Sequence, residues 1–260
     1  MHAQSSRAGE QILMPMVRKF ERRAGLAADD REALLALPYQ ARSLPAGAHL
    51  VRDGDRPQAC ALLLSGFAFR HKITGEGGRQ VIALHVPGDF LDLQNSLLEV
   101  SDHNVQTLTE AEIAFIARDA IRELALARPA IGVAMWIDTL VDSSIFREWV
   151  VNVGRRDAYT RVCHILCEFS LRLEEVGLAE NHRYELPMTQ EQLADALGLT
   201  PVHVNRVLRQ LGEDGLIVRT KRVILIQDWD RMRDAGDFTD RYLHYGSPLR
   251  LSSADPRAAR

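Results

Sequence analysis

The spacing of apolar residues changes three times along the chain, and each change marks a different kind of element. From Gln11 to Leu37 the spacing is helical but is interrupted by Pro15 and by the Ala27-Ala28-Asp29-Asp30 stretch, which predicts two short helices. Between Arg42 and Ile116 short apolar runs alternate with turn clusters at Asp53-Gly54-Asp55, Ser65-Gly66, Gly75-Glu76-Gly77-Gly78 and Pro87-Gly88-Asp89. Strands and turns recurring every roughly 8 to 12 residues predict a small β-roll or jelly roll, with Ala61–Phe69 and Val81–Val86 as its clearest strands. From Pro129 to Val153 the helical period returns and is sustained: Ile131, Met135, Ile137, Leu140, Val141, Ile145, Trp149 and Val153 fall mostly three to five positions apart. A helix of about 25 residues is roughly 37 Å long. A small roll cannot cover that length, so part of the stripe is expected to pack on a second copy of the chain, with bundle-like packing inside one chain as the alternative.

Gly154-Arg155-Arg156-Asp157 ends this helix and offers Asp157 as the N-cap of another, Ala158–Glu175, so a hinge and domain boundary are placed here. Next come two helices joined by a tight turn. Thr189-Gln190-Glu191-Gln192 fits a capping box, and Gly198 ends that helix because glycine reaches left-handed dihedrals at least cost. Thr200 caps the next, with Pro201 in its first turn. In this second helix Val204, Val207, Leu208 and Leu211 face inward, leaving Val202, His203, Asn205, Arg206, Arg209 and Gln210 outward. Asp214–Val218 and Val223–Ile226 read as two short strands around an Arg219-Thr220-Lys221-Arg222 turn, a wing.

The formal net charge of −3 excludes a polyanion binder that works by overall charge, so any nucleic-acid contact needs a local patch. The wing region supplies one: from Thr200 to Arg222, five basic residues stand against Glu213 and Asp214, a local net of +3. A steep helix pair with a polar second helix and a basic wing is the arrangement that enters the DNA major groove. The predicted DNA-binding residues are Thr189, Thr200, Pro201, Val202, His203, Asn205, Arg206, Arg209, Arg219, Lys221 and Arg222.

The order of roll, long helix, hinge and winged helix resembles the Crp/Fnr family of bacterial transcription regulators over roughly residues 30 to 228. The most specific pieces are Gly154-Arg155-Arg156-Asp157-Ala158 and the run from Met188 to Arg206. The resemblance implies an α+β chain: a sensory roll over 10–128, a dimerisation helix over 129–154, a winged helix-turn-helix over 157–228 and a C-terminal helix and tail over 229–260. It implies a non-enzymatic regulator binding double-stranded DNA as a homodimer on a palindromic operator in the cytoplasm, with RNA polymerase and a small-molecule effector as further partners. No membrane partner and no cofactor are expected.

Two departures from the family pattern matter. Cyclic-nucleotide-binding members hold the phosphate with an arginine, and Pro87–Val105 contains none, so cAMP control is not expected. The recognition helix opens with Pro201-Val202 where many members have Arg-Glu, so the half-site should differ. With three cysteines and none before Cys60, one protomer cannot supply a four-thiolate iron–sulfur cluster. Asp92, Gln94, Asp102 and His103 fall where the family's ligand pocket would lie and are either an effector pocket or a solvated loop.

Other residues carry weaker signals. Cys163 and Cys167, one helical turn apart beside His164, are read as buried structural cysteines, with a redox pair as the alternative. Trp136 and Trp149 are read as core or dimer-interface aromatics. The histidines at 49, 71, 85 and 103 invite comparison with metal-dependent roll enzymes carrying an accessory winged helix, but no His-x-His pair or spaced Glu accompanies them. A protein-interaction module using its wing is a third reading. No charged-then-apolar leader opens the chain, and no apolar run approaching a bilayer span is expected.

Overall fold

The computed structural model describes residues 12–246, so the polar tail expected after Gly246 and the first residues lie outside the described part. Two short helices, α1 (Met14–Arg23) and α2 (Ala28–Leu35), precede seven strands: β1 (Tyr39–Leu44), β2 (His49–Val51), β3 (Ala59–Ser65), β4 (Ala68–Ile73), β5 (Arg79–His85), β6 (Asn104–Thr107) and β7 (Ala111–Ala117). They form two antiparallel sheets, in the orders β1-β7-β3 and β2-β6-β4-β5. Ala61, Leu63, Ala68, Leu91, Val105 and Ile113 fill the space between the sheets. The apolar run Ala61–Phe69, expected as one strand, is two. Gly66 breaks it at φ +79°, and a Cβ there would lie 2.2 Å from the Glu110 carbonyl oxygen, so no other residue fits.

Helix α3 (Arg118–Ala127) leads into the long helix α4 (Pro129–Arg155). By length and composition α4 would pass for a bilayer span, contrary to the expectation from the sequence. Its contacts show otherwise. Ile131, Ala134 and Met135 pack with Leu13, Phe20 and Ile121 against the outer face of β3 and β7, and Asp138 and Asp142 pair with Lys19 and Arg70. Ile137 and Ile145 also lean on the chain's own cores. From Trp136 to Gly154 the exposed positions Trp136, Leu140, Ser143, Phe146, Arg147, Val150, Val151 and Gly154 recur every three to four residues and form one band along α4 that includes five large apolar side chains. Trp149 is buried in the core, whereas Trp136 stands on this band.

Asp157 caps α5 (Ala158–Glu175), accepting from Thr160 N at 2.9 Å. A hairpin not expected from the sequence follows, β8 (Ala179–Glu180) and β9 (Arg183–Glu185), turning through Asn181 and His182, both with positive φ. Helices α6 (Gln190–Leu197) and α7 (Pro201–Glu213), strands β10 (Ile217–Thr220) and β11 (Val223–Ile226), and α8 (Trp229–Ala235) complete the C-terminal half. Strand β11 lies between β10 and β9, so the wing belongs to a four-stranded sheet. The wing turn is only Lys221-Arg222, not four residues, while Asp214 and Gly215 turn the chain before β10.

The two halves share a core. Phe69, Val81, Leu84 and Val86 from the roll pack with Val162, Leu166, Phe169 and Leu197 of the C-terminal half. Beyond α8 the chain runs back across α5 to α4 and α1. Tyr242 O–H donates to Glu168 Oε2 at 2.9 Å, and Arg23 Nη1 donates to the carbonyls of Leu243 and His244 at 3.0 and 3.2 Å. This return segment explains His164, which is fully buried with Nδ1 3.0 Å from the Gly236 oxygen and Nε2 3.1 Å from Tyr242 Oη. Burial pushes the Cys163 thiol up to about 12 and raises Cys167 as well, so neither offers the thiolate a redox pair needs.

Candidate nucleic-acid interface

Local chemistry fixes the helix pair. The Thr189 hydroxyl accepts from Gln192 N at 3.2 Å and the Gln192 side chain accepts from Thr189 N at 2.9 Å, so the capping box is closed. Gly198 ends α6 in the left-handed region at φ 62° and ψ 39°. Arg161, which the sequence reading passed over, donates through Nη1 to the Leu197 carbonyl at 3.0 Å and so ties the turn to α5. Thr200 accepts from His203 N at 3.3 Å to start α7.

Helix α7 divides as its sequence period requires: Val204, Val207, Leu208 and Leu211 are buried, and Pro201, Val202, His203, Asn205, Arg206 and Arg209 are exposed. Gln190, at the start of α6, accepts from Asn205 Nδ2 at 3.0 Å and belongs to the same surface; its place on α6, outside the recognition helix, hid it from sequence reading. Arg219 and Lys221 are exposed on the wing. Arg222 donates through Nη2 to the Pro187 carbonyl at 2.7 Å, which fixes its guanidinium at the wing's root. Of the two nearby acids, Asp214 accepts from Tyr159 O–H at 2.7 Å and Glu213 lies 3.6 Å from Arg209, so Arg206, Arg219 and Lys221 dominate the field of this face.

This face is held against the roll. Arg79 at the start of β5 pairs with Asp195 of α6 at 2.7 Å, and Gln80 Nε2 donates to the Ala196 carbonyl at 3.2 Å. Arg172 of α5 reaches the other way, bonding the Leu84 carbonyl at 2.7 Å and Asp89 at 3.2 Å.

The residues expected at an effector pocket do not converge on one cavity. Asp92 is fully buried, accepting from Ala61 N at 2.7 Å and Asn95 Nδ2 at 3.2 Å, and burial pushes its carboxyl up to about 6. Gln94 Nε2 lies 3.3 Å from His103 Nε2, and His103 Nδ1 lies 2.6 Å from Asp102, whose carboxylate stands in solvent. One cavity among the described residues lies between roll, α1, α4 and α5, lined by Gln94 of the expected set and by Lys19, Arg70, His85, Asp89, Asp138 and Asp142. Guanidiniums are present after all, none from the 87–105 segment: Arg22, Arg23, Arg70 and Arg172 line the cavity, and Arg70 is spent on the Leu91 carbonyl and the Asp142 carboxylate. Lys19 bridges Asp89 and Asp138 at 2.8 Å each, and against the upward push of burial Lys19, His85 and Arg172 hold the Asp89 carboxyl well below the usual carboxylate range. About 50 Å³ of water-accessible space remains among these side chains, room for a few waters. As they stand, Arg70 and Lys19 face carboxylates, so an anion entering here would compete with Asp142, Asp138 and Asp89.

Two family models match the chain, a cyclic nucleotide-binding domain over residues 41–128 and a Crp-like helix-turn-helix domain over 160–235. The transcriptional activator protein FnrL of Cereibacter sphaeroides is 29% identical over 225 residues, covering 84% of this chain and 90% of its own length. The nitrogen fixation regulation protein FixK of Azorhizobium caulinodans is 26% identical, covering 85% and 90%. Among solved structures, FixK2 from Bradyrhizobium japonicum superposes with a TM-score of 0.70 at 20% identity, over 78% of this chain and all of that one. With both domains matched in order, full-length relatives that are transcription regulators, and a helix pair built to face DNA, the chain belongs to the Crp/Fnr family of DNA-binding transcription regulators.

Proposed function

We propose that the protein works in the cytoplasm as a homodimer that reads a palindromic operator through α7, without catalytic activity and without cAMP as its signal. The observation that carries the reading is the exposed polar face of α7 beside the basic wing. The exposed band of α4 supports the dimer: Trp136, Leu140, Phe146, Val150 and Val151 are large apolar residues left uncovered on a helix whose opposite side packs against its own chain. A two-fold dimer presents two recognition helices to successive major grooves, so half-sites should lie about one helical turn, ~34 Å, apart. The self-neutralised cavity argues against cAMP, because a phosphate would have to displace Asp142 from Arg70. RNA polymerase is the protein partner that family membership suggests. The metal-dependent enzyme reading gains no support, since among the described residues no three His, Cys, Asp or Glu side chains converge to hold a metal.

The test is selection of random DNA fragments by the purified full-length protein, followed by footprinting. Enrichment of an inverted repeat is expected. Uniform binding of all fragments, or a footprint over one asymmetric site, would overturn the reading.

A further inference from the structure

Gln190, Pro201, Val202, Asn205, Arg206 and Arg209 line one shallow groove on the outward side of the helix pair. Within it Asn205 is tethered, because its Nδ2 donates to Gln190 Oε1 at 3.0 Å across the two helices. An exposed asparagine is ordinarily free to rotate about χ2, and reversing the amide would exchange donor for acceptor. Here reversal would set Oδ1 against Gln190 Oε1, two acceptors at hydrogen-bond distance. With Gln190 Oε1 as its acceptor, the tether leaves Asn205 Oδ1 free to accept and the second amide hydrogen free to donate, and only a concerted turn of both amides inverts this.

That pair of groups matches the major-groove edge of adenine, which offers a donor at N6 and an acceptor at N7. It opposes guanine, whose O6 is an acceptor. One turn earlier Val202 is 77% exposed, an isopropyl group left largely in solvent in the protein alone. The only apolar feature a base edge offers in the major groove is the thymine methyl. Val202 and Asn205 are separated by about 4.5 Å along the helix axis, close to the ~3.4 Å between successive bases on one strand.

We infer that Gln190 is a positioning residue that commits Asn205 to adenine, and that Val202 reads the methyl of a neighbouring thymine, so each half-site carries a thymine and an adenine in neighbouring base pairs. The inference rests on the proposed reading of DNA through α7 and adds base identity to it.

The experiment uses the full-length protein and the best site from fragment selection. Affinities are measured for all four base pairs at each half-site position, for 7-deazaadenine in place of adenine, and for uracil in place of thymine. Wild type should prefer adenine over guanine at one position by about 10- to 100-fold, and 7-deazaadenine there should erase most of the gain. Asn205→Ala should abolish both effects. Gln190→Met, which keeps the length but loses the acceptor, should collapse the adenine-to-guanine ratio, and Gln190→Glu, which keeps the acceptor, should restore it. Thymine-to-uracil exchange at the neighbouring position should weaken wild type several-fold and leave Val202→Ala indifferent.

A Gln190→Met protein that keeps the wild-type ratio, or loses affinity equally for all four bases, overturns the positioning role. A selected consensus without adenine and thymine in neighbouring pairs overturns the base assignment while leaving DNA reading intact. Failure of wild type to enrich any sequence overturns the proposed function itself.

Discussion

Tyr242→Phe isolates the contact by which the C-terminal return segment docks on α5. The phenol donates to Glu168 Oε2 at 2.9 Å and lies 3.1 Å from His164 Nε2. Glu168 is 1% exposed and His164 fully buried, so water cannot replace the lost hydroxyl without opening the packing. The carboxyl keeps two other partners, Trp149 Nε1 at 3.0 Å and Arg172 Nη1 at 3.3 Å, which limits the damage to one unsatisfied buried site. Leaving such a group unpaired costs ~1–3 kcal/mol. Taking about 2 kcal/mol, and about 2–4 °C per kcal/mol for a chain of this size, Tm should fall by about 4–8 °C. Tryptophan fluorescence suits the assay because Trp149 bonds the same carboxyl, and Glu168→Gln closes a double-mutant cycle with a coupling expected above ~0.5 kcal/mol. If Tyr242→Phe melted within about 1 °C of wild type and the cycle showed no coupling, the segment would not be docked as described.

Arg206→Ala should cost about 1–3 kcal/mol in operator affinity and relax one position per half-site, whereas alanine at Arg219 or Lys221 should weaken all sequences alike and lower the salt slope; an unchanged Arg206→Ala motif would refute the orientation of α7. Leu140 is 52% exposed on the α4 band, so Leu140→Asp should leave the fold intact but yield monomers that fail to footprint, as sedimentation would register. Ile137 and Ile145, in the stripe read from the sequence, are poorer sites because they support the chain's own cores. The Asp92 carboxyl is pushed up to about 6 from an ordinary 3.8, so its ionised form opposes folding. The penalty is absent below about pH 4 and complete above about pH 6. Asp92→Asn, which keeps an acceptor for Ala61 N, should therefore raise the urea midpoint at pH 7.5 and lose that advantage at pH 4; an equal difference at both pH values would show that ionisation is irrelevant. Calorimetric titration with cAMP should give no saturable heat, and a micromolar Kd with one site per protomer would restore a nucleotide sensor.

What could be read from the sequence was local. The Thr189–Gln192 box, the Gly198 turn and the Thr200–Pro201 start each lie within four residues, and all three took the expected form. Helix α4 was legible for the same reason, its period being sustained over seven turns. Its free face was not, because which apolar residues of a stripe meet the chain itself depends on distant partners such as Phe20 and Ile121. Apolar continuity from Ala61 to Phe69 outweighed the glycine that breaks it. Strands β8 and β9 are too short, at two and three residues, to show a period. Arg70 meets Asp142 across 72 residues, and no spacing rule connects them. The outward residues of α7 were identified by helical phase alone, while Gln190, on the neighbouring helix, needed the crossing of the pair in three dimensions.

The core shared between the β4–β5 face and the C-terminal half bears on how such a protein can be recombined. Families of sensor-plus-reader proteins are often pictured as interchangeable cassettes joined at a hinge. Here a cut at Arg156 would sever the Arg79–Asp195 pair, the Arg172 clasp on Leu84 and Asp89, and the return segment's grip on Arg23 together. A foreign reader grafted onto this roll would meet an uncovered Phe69–Val81–Leu84 surface, and this reader grafted elsewhere would carry Arg172 into a site without its carboxylate. Productive exchange must therefore transplant the seam between the parts along with the parts themselves.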